Sequence, residues 1–107
     1  MTELIHASLA GAEWRTFQQE GKSFALLRAL EGGGAVLFSR FAKGVHGGRH
    51  LHPGGEDLFV ISGSCRVDDV SLSAGDYLYT PPGASHELIA AEDTVVLVVL
   101  PQAPVYD

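Results

Sequence analysis

Residues 44–63 read GVHGGRHLHPGGEDLFVISG and carry the most informative pattern in the chain. His50 and His52 are separated by one residue in a strand-like context, and the period of two along a strand places both imidazoles on one face. Glu56 follows across the turn Pro53-Gly54-Gly55. This stretch predicts a strand, a tight turn and a carboxylate close to two imidazoles.

A second stretch, AGDYLYTPPGASH at residues 74–86, ends on another histidine. His86 arrives on a later predicted strand, after Pro82-Gly83. With His50, His52 and Glu56 it completes a set of three imidazoles and one carboxylate. That set suits a divalent transition metal such as Fe, Mn, Ni, Zn or Cu, and it leaves coordination positions open if the ion is five- or six-coordinate.

The alternative for these four residues is a set of ordinary polar side chains on a solvated sheet face. For any single histidine this alternative is the better one. Four residues in this register favour a metal, because burying three imidazoles and a glutamate without an ion would leave unpaired polar groups at a high energetic cost.

Turn residues interrupt the whole chain at short, even intervals, which is typical of an all-β sandwich or barrel. Asp68-Asp69 predicts a tight hairpin. Residues 7–20 are open to two interpretations, a helical turn or an N-terminal strand that pairs across a dimer. The predicted strands are Phe24–Leu30, Ala35–Ala42, His50–His52, Leu58–Ile61, Ser64–Val67, Tyr77–Thr80, His86–Ile89 and Val95–Leu100.

Both stretches resemble the two motifs of the cupin (RmlC-like) superfamily. The first motif, Gly-x5-His-x-His-x3-Glu-x6-Gly, is matched at every fixed position from Gly44 to Gly63. The second, Gly-x5-Pro-x-Gly-x2-His-x3-Asn, is matched from Gly75 to His86, with Ala90 in place of the final asparagine. The resemblance implies an all-β, cupin-type double-stranded β-helix (jelly-roll) barrel. It also implies a metal site inside the barrel, near one mouth, made by His50, His52, Glu56 and His86.

Residues 50–56, HLHPGGE, and the stretches AGDY, PPG and SH that follow them are similar to ChrR-type cupins. This fold occurs in that family as the C-terminal domain of zinc-dependent anti-sigma factors and as free-standing small proteins. With Cys65 as its one cysteine, the chain cannot form the family's His-x3-Cys-x2-Cys zinc site. Sigma-factor inhibition is therefore not carried over.

Composition and charge limit the classes of function and of binding partner. The 107 residues carry a formal net charge of −6, and seven scattered cations do not make a nucleic-acid surface. The longest apolar run, Val95–Leu100, is far too short to span a bilayer, so no membrane partner is expected. We expect one cupin domain over residues 1–107, a cytoplasmic location because of the lone cysteine, and a homodimer because the chain is short.

Two classes of function stay open at this level, and no catalytic residue is identified. The first is an enzyme, such as an iron- or manganese-dependent dioxygenase, acting on a small molecule. The second is a non-catalytic module that senses a metal or small ligand, as the ChrR-type resemblance implies. A barrel that retains the four ligand residues but acts only structurally is a third, weaker alternative.

Four further side chains are weighed for the site. His46 is interpreted as a loop residue, with a role beside the metal as its alternative. Arg40 is expected to face solvent, because an inward position would instead suggest an anionic substrate. Tyr77 and Tyr79 are expected to be packing residues, with a phenol offered to a ligand as the alternative.

Overall fold

A computed structural model describes residues 3–106. Apart from one 3₁₀ turn at Glu31–Gly33, this part of the chain forms strands, turns and irregular segments, as predicted. Its strands are β1 (Arg15–Phe17), β2 (Gln19–Ala29), β3 (Ala35–Phe41), β4 (His50–His52), β5 (Glu56–Ser62), β6 (Ser64–Val67), β7 (Val70–Ser73), β8 (Tyr77–Thr80), β9 (Ala84–His86), β10 (Leu88–Ala90), β11 (Thr94–Leu100) and β12 (Val105–Tyr106).

The strands form three antiparallel sheets. The large sheet has the order β1-β2-β3-β11-β5-β8. The distal sheet has the order β10-β6-β7, and the histidine sheet has the order β12-β4-β9. The chain before β4 joins the two small sheets, because the Gly44 and Gly47 amides donate to carbonyls of β10. Residues from the large sheet and both small sheets line one interior space.

Alternation along the strands decides which side chains enter the barrel. In β11, Thr94, Val96, Val98 and Leu100 are buried, while the residues between them are partly exposed. A buried apolar cluster joins the large sheet to the distal sheet, from which it includes Val67, Leu72 and Leu88. Other members of this cluster, among them Phe41, Leu58 and Val96, line the same cavity as the histidines.

The structure corrects several local predictions. The predicted strand His86–Ile89 is two strands, because the chain passes at Glu87 from the histidine sheet to the distal sheet. β2 begins at Gln19, well before the predicted Phe24. The strands β7 and β12 were not among the predicted strands, and β1 lies in the segment for which a strand was one of two interpretations.

The structure also decides between the two interpretations of residues 7–20, a helical turn and a strand. Residues 7–14 form no helix, and Arg15–Phe17 pairs with β2 of the same chain. Trp14, which immediately precedes β1, contacts Phe38 on the outer face of the large sheet. The homodimer stays a prediction. Among residues 3–106, no helix is long and apolar enough to cross a membrane.

Candidate metal centre

Three imidazoles meet inside the barrel, in a cavity that they share with members of the apolar cluster. His50 and His52 are the inward residues of β4, and β9 pairs with β4 in a register that sets His86 directly across from His50. Their candidate donor nitrogens all lie within 4.8 Å of one another, and all three side chains are buried. Because the period of two places His50 and His52 on one face, the strand itself directs both rings to the same point.

The hydrogen bonds of two rings select the nitrogen that faces the centre. His50 Nδ1 donates to the Gly48 carbonyl at 2.7 Å, which leaves Nε2 with its lone pair. His86 Nδ1 lies 3.0 Å from Thr80 Oγ1, so its Nε2 also faces the interior. Partners of this kind fix the orientation of a ligating imidazole.

Glu56 reaches the same point from the large sheet. Gly55 has a φ of +79°, and a Cβ there would lie 2.8 Å from the Thr80 carbonyl oxygen, so a glycine suits this turn. The Glu56 carboxyl oxygens lie 3.5 Å from His52 Nε2 and 3.5 Å from His86 Nε2. The four predicted residues are therefore brought together, and Glu56 as a fourth ligand stays a prediction.

The donor set fits a transition-metal ion. His52 Nε2 and His86 Nε2 are 2.9 Å apart. Two donors bound to one ion at about 2.1 Å lie about 3 Å apart when their bonds are perpendicular. His52 Nδ1 and Glu56 Oε1 are buried without a hydrogen-bond partner. A group of neutral imidazoles around one point, beside an unpartnered carboxyl oxygen, could hold a divalent cation.

Burial controls the charges of the centre in the protein without an ion. Burial lowers the pKa of His52 to about 3 and that of His86 to about 4, with repulsion from His50 adding to both shifts. Burial, with Asp57 contributing, raises the pKa of Glu56 to about 8. The close contacts of Glu56 with the two imidazoles are thus contacts between uncharged groups at neutral pH, and not ion pairs.

The centre opens into a cavity of about 140 Å³. Most of its wall is apolar, including Phe24, Phe41, Leu58, Val96 and Val98. A drug-sized ligand needs roughly 300 Å³ or more, so this space suits a smaller molecule. The candidate metal ligands line one part of a small, apolar chamber.

A family model for the ChrR cupin-like domain matches residues 2–104. The chain belongs to this family. No curated protein sequence matches the chain.

Solved structures similar to this ChrR-type cupin share its fold. A protein of unknown function with a cupin-like fold from Ralstonia eutropha JMP134 is 23% identical over 100% of this chain and 72% of its own, with a TM-score of 0.86. The anti-sigma ChrR of Rhodobacter sphaeroides, solved with SigE, is 24% identical over 87% of this chain and 51% of its own (TM-score 0.76).

A putative acetylacetone dioxygenase from Methylibium petroleiphilum PM1 is 16% identical over 100% of this chain and 83% of its own, with a TM-score of 0.88. At such identities these likenesses show the cupin fold and not an activity.

The other side chains weighed from the sequence lie outside the cavity of the ChrR-type cupin. His46 is exposed in the loop before β4, as expected. Arg40 faces outward as expected, with its guanidinium 4.1 Å from the Trp14 ring centroid. Tyr77 and Tyr79 are more than half exposed, so the expectation that they pack is wrong. They lie on β8, at an edge of the large sheet, where the Tyr77 hydroxyl donates to Asp57.

Two cavity residues of this ChrR-type cupin were not predicted. The Tyr106 ring lies 4.8 Å from the His50 ring, between ring centroids, and Lys22 also lines the cavity. A period of two connects Lys22 to Phe24, so extending the predicted strand toward its start would have placed Lys22 on the cavity face. No local pattern indicates Tyr106, because it lies 56 residues after His50 in the sequence (106 − 50). Only the pairing of β12 with β4 brings the two side chains together.

The shifted pKa values predict how pH changes the stability of the metal-free protein. Below pH 6.5 the unfolded chain takes up protons that the folded His52 and His86 do not bind, so stability falls as pH drops toward their pKa values of about 3 and about 4, respectively. Glu56 has the opposite effect. The raised pKa of Glu56 makes its full contribution to the free energy of unfolding below pH 4.5, and this contribution is lost as pH rises through about 8.

We expect Glu56→Gln to separate the contribution of the Glu56 carboxyl to the pH dependence of stability from that of the histidines. In EDTA the variant and the parent protein should differ little at pH 5, and at pH 8.5 the variant should be more stable by on the order of 2 kcal/mol. Urea denaturation at the two pH values measures this difference. An excess of metal should reverse the order at pH 8.5, because a cation favours the carboxylate. A difference that does not change with pH would contradict the assignment.

Proposed function

We propose that this ChrR-type cupin is a metal-dependent enzyme that acts on a small molecule, and specifically a dioxygenase. In this proposal His50, His52, Glu56 and His86 hold iron or manganese. One observation supports it above the others. The candidate ligands face an apolar cavity with room for a small molecule, whereas a structural metal site would be enclosed by its ligands.

The residues around the centre would each have a distinct task. The Gly48 carbonyl and Thr80 would hold the His50 and His86 rings in orientation, at the distances of 2.7 and 3.0 Å described above. Glu56, whose pKa burial raises to about 8, would give up its proton when the ion binds. The apolar wall would exclude water from the reacting groups. The ion would supply a Lewis-acidic, redox-active point at which a substrate oxygen and O₂ can meet.

The similar fold of an acetylacetone dioxygenase from Acinetobacter johnsonii suggests the first substrates to test. Small β-diketones and short keto acids fit a cavity of this size. We expect substrate-dependent oxygen uptake after anaerobic reconstitution with Fe(II) or Mn(II), measured with an oxygen electrode and by product analysis. His52→Ala should remove the activity, and His46→Ala, which changes an exposed imidazole, should retain it.

A second candidate is a sensing module without catalysis, and the match to the ChrR cupin-like domain family favours it. In that case the protein binds metal and small ligands, which change its thermal stability, but consumes no oxygen and forms no product. Metal binding at full occupancy without turnover of any compound in the panel would overturn the dioxygenase proposal in favour of this one.

A further inference from the structure

Lys22 is a buried cation in the wall of the cavity. It is only 6% exposed, and it lies on β2 across from Phe41 of β3. Its ammonium donates to Gln18 Oε1 and to the Gly47 carbonyl, both at 2.6 Å. Both acceptors are neutral, so the hydrogen bonds of Lys22 do not balance its charge.

Aromatic rings, and not carboxylates, lie around the Lys22 ammonium. Nζ is 5.1 Å from the Phe17 ring centroid and 5.0 Å from that of Tyr106. Within residues 3–106, no Asp or Glu carboxylate lies within ion-pair distance of it. An ammonium has three N–H donors, and two are used by Gln18 and Gly47. A buried charge is costly unless an opposite charge compensates it.

The position of Lys22 relates it to the metal centre. Lys22 and Phe24 of β2 line the same cavity as His50 and His86, from the opposing sheet. The Tyr106 ring contacts both groups, because its centroid is 5.0 Å from Lys22 Nζ and 4.8 Å from that of the His50 ring. A small molecule in this chamber would have a cation beside it in addition to the metal ligands.

We propose that Lys22 binds an anionic oxygen of the substrate and thereby selects small organic monoanions with an apolar body. This inference rests on the proposed function for the presence of a substrate and deepens it by naming the chemical class. The third N–H of Lys22 donates to a carboxylate or enolate oxygen, and the apolar wall packs against the remainder of the molecule. The net charge of −6 disfavours anions in general, so a preference for them must come from a local cation.

The first test uses the unaltered protein. The chain has two lysines, Lys22 and the exposed Lys43, so ¹³Cε labelling of lysine gives one probe in the cavity and one internal control. In EDTA-treated protein at pH 7.5 we expect butanoate to shift the Lys22 signal and leave Lys43 unchanged. Butanamide, the neutral analogue of the same shape, should shift neither signal. Equal responses of Lys22 to both compounds would overturn the proposal.

The second test compares affinities by calorimetric titration, with the protein as purified and after EDTA treatment. The parent protein should bind butanoate at least about tenfold more tightly than butanamide, because a hydrogen bond to a charged group contributes more than one to a neutral group. Lys22→Met should abolish this preference with the butanamide affinity retained. Arg49→Met is the matched control, because it removes an exposed cation next to His50 that does not line the cavity.

The two proposals fail in different ways. Unchanged butanoate affinity in Lys22→Met would overturn the role of Lys22, whatever the metal or the oxygen uptake. Absence of oxygen uptake with the anion preference intact would overturn the dioxygenase and leave the binding role of Lys22 standing. If Lys22→Met does not fold, the lysine spectra of the unaltered protein still decide the outcome.

Discussion

His52→Ala is expected to lower the affinity for a divalent transition metal by at least about 100-fold, because loss of a partner that only orients a ligand already costs 10- to 100-fold. His52 is the most deeply buried of the three histidines, at 1% exposed, and its Nε2 lies 2.9 Å from His86 Nε2. Metal content per chain after purification without a histidine tag measures the loss directly.

Thermal denaturation gives a second readout of the same substitution. A bound ion stabilises the folded state by mass action, so EDTA should lower the Tm of the parent protein. In His52→Ala the Tm should be the same with and without EDTA. His46→Ala, which removes an exposed imidazole outside the cluster, should keep both the metal and the EDTA effect. An EDTA-sensitive Tm in His52→Ala would show that the ion binds elsewhere.

Gly63→Ala is expected to have a large effect on folding, a loss of about 3 kcal/mol or more in the free energy of unfolding. Gly63 has a φ of +83°, and a Cβ there would lie 2.1 Å from the Asp93 carbonyl oxygen. Both the backbone conformation and the space therefore exclude a side chain at this position. The β5–β6 junction would have to move away from the start of β11, where Thr94 is fully buried.

Gly75→Ala is the matched control for this substitution. Gly75 has a φ of +93°, but nothing lies within 4 Å of a Cβ built there. The control therefore carries only the conformational penalty, about 1 kcal/mol. Denaturation in urea, with an unchanged m-value, gives the difference between the two variants. Equal losses would mean that the close approach of Gly63 to β11 is unimportant for stability.

The sequence was enough to predict that the four candidate ligands lie close together, because their geometry is local. Two residues apart on one strand, His50 and His52 must share a face. The turn at Gly55 then returns the chain with Glu56 facing inward, and His86 lies across the ladder from His50. Strand periodicity and two short turns are enough to specify this part of the site.

Other features could not be predicted because they depend on how the barrel closes. The change of sheet at Glu87 divides what reads as one continuous strand, and its side chains show no break in pattern. Lys22 reads as a surface cation, since lysines are rarely buried. Tyr106 meets His50 only because β12 pairs with β4, a contact between distant parts of the chain.

The pairing of β12 with β4 has a consequence for exchange between the chamber and solvent. Within residues 3–106, two residue pairs hold this strand, Val105 with Leu51 and Tyr106 with His50. Detaching so short a strand costs much less than unfolding the barrel, and it removes the Tyr106 ring from beside His50. The residence time of a ligand in the chamber can therefore change without a change in the melting temperature. Substitutions at residues 104–106 are expected to alter the residence time alone.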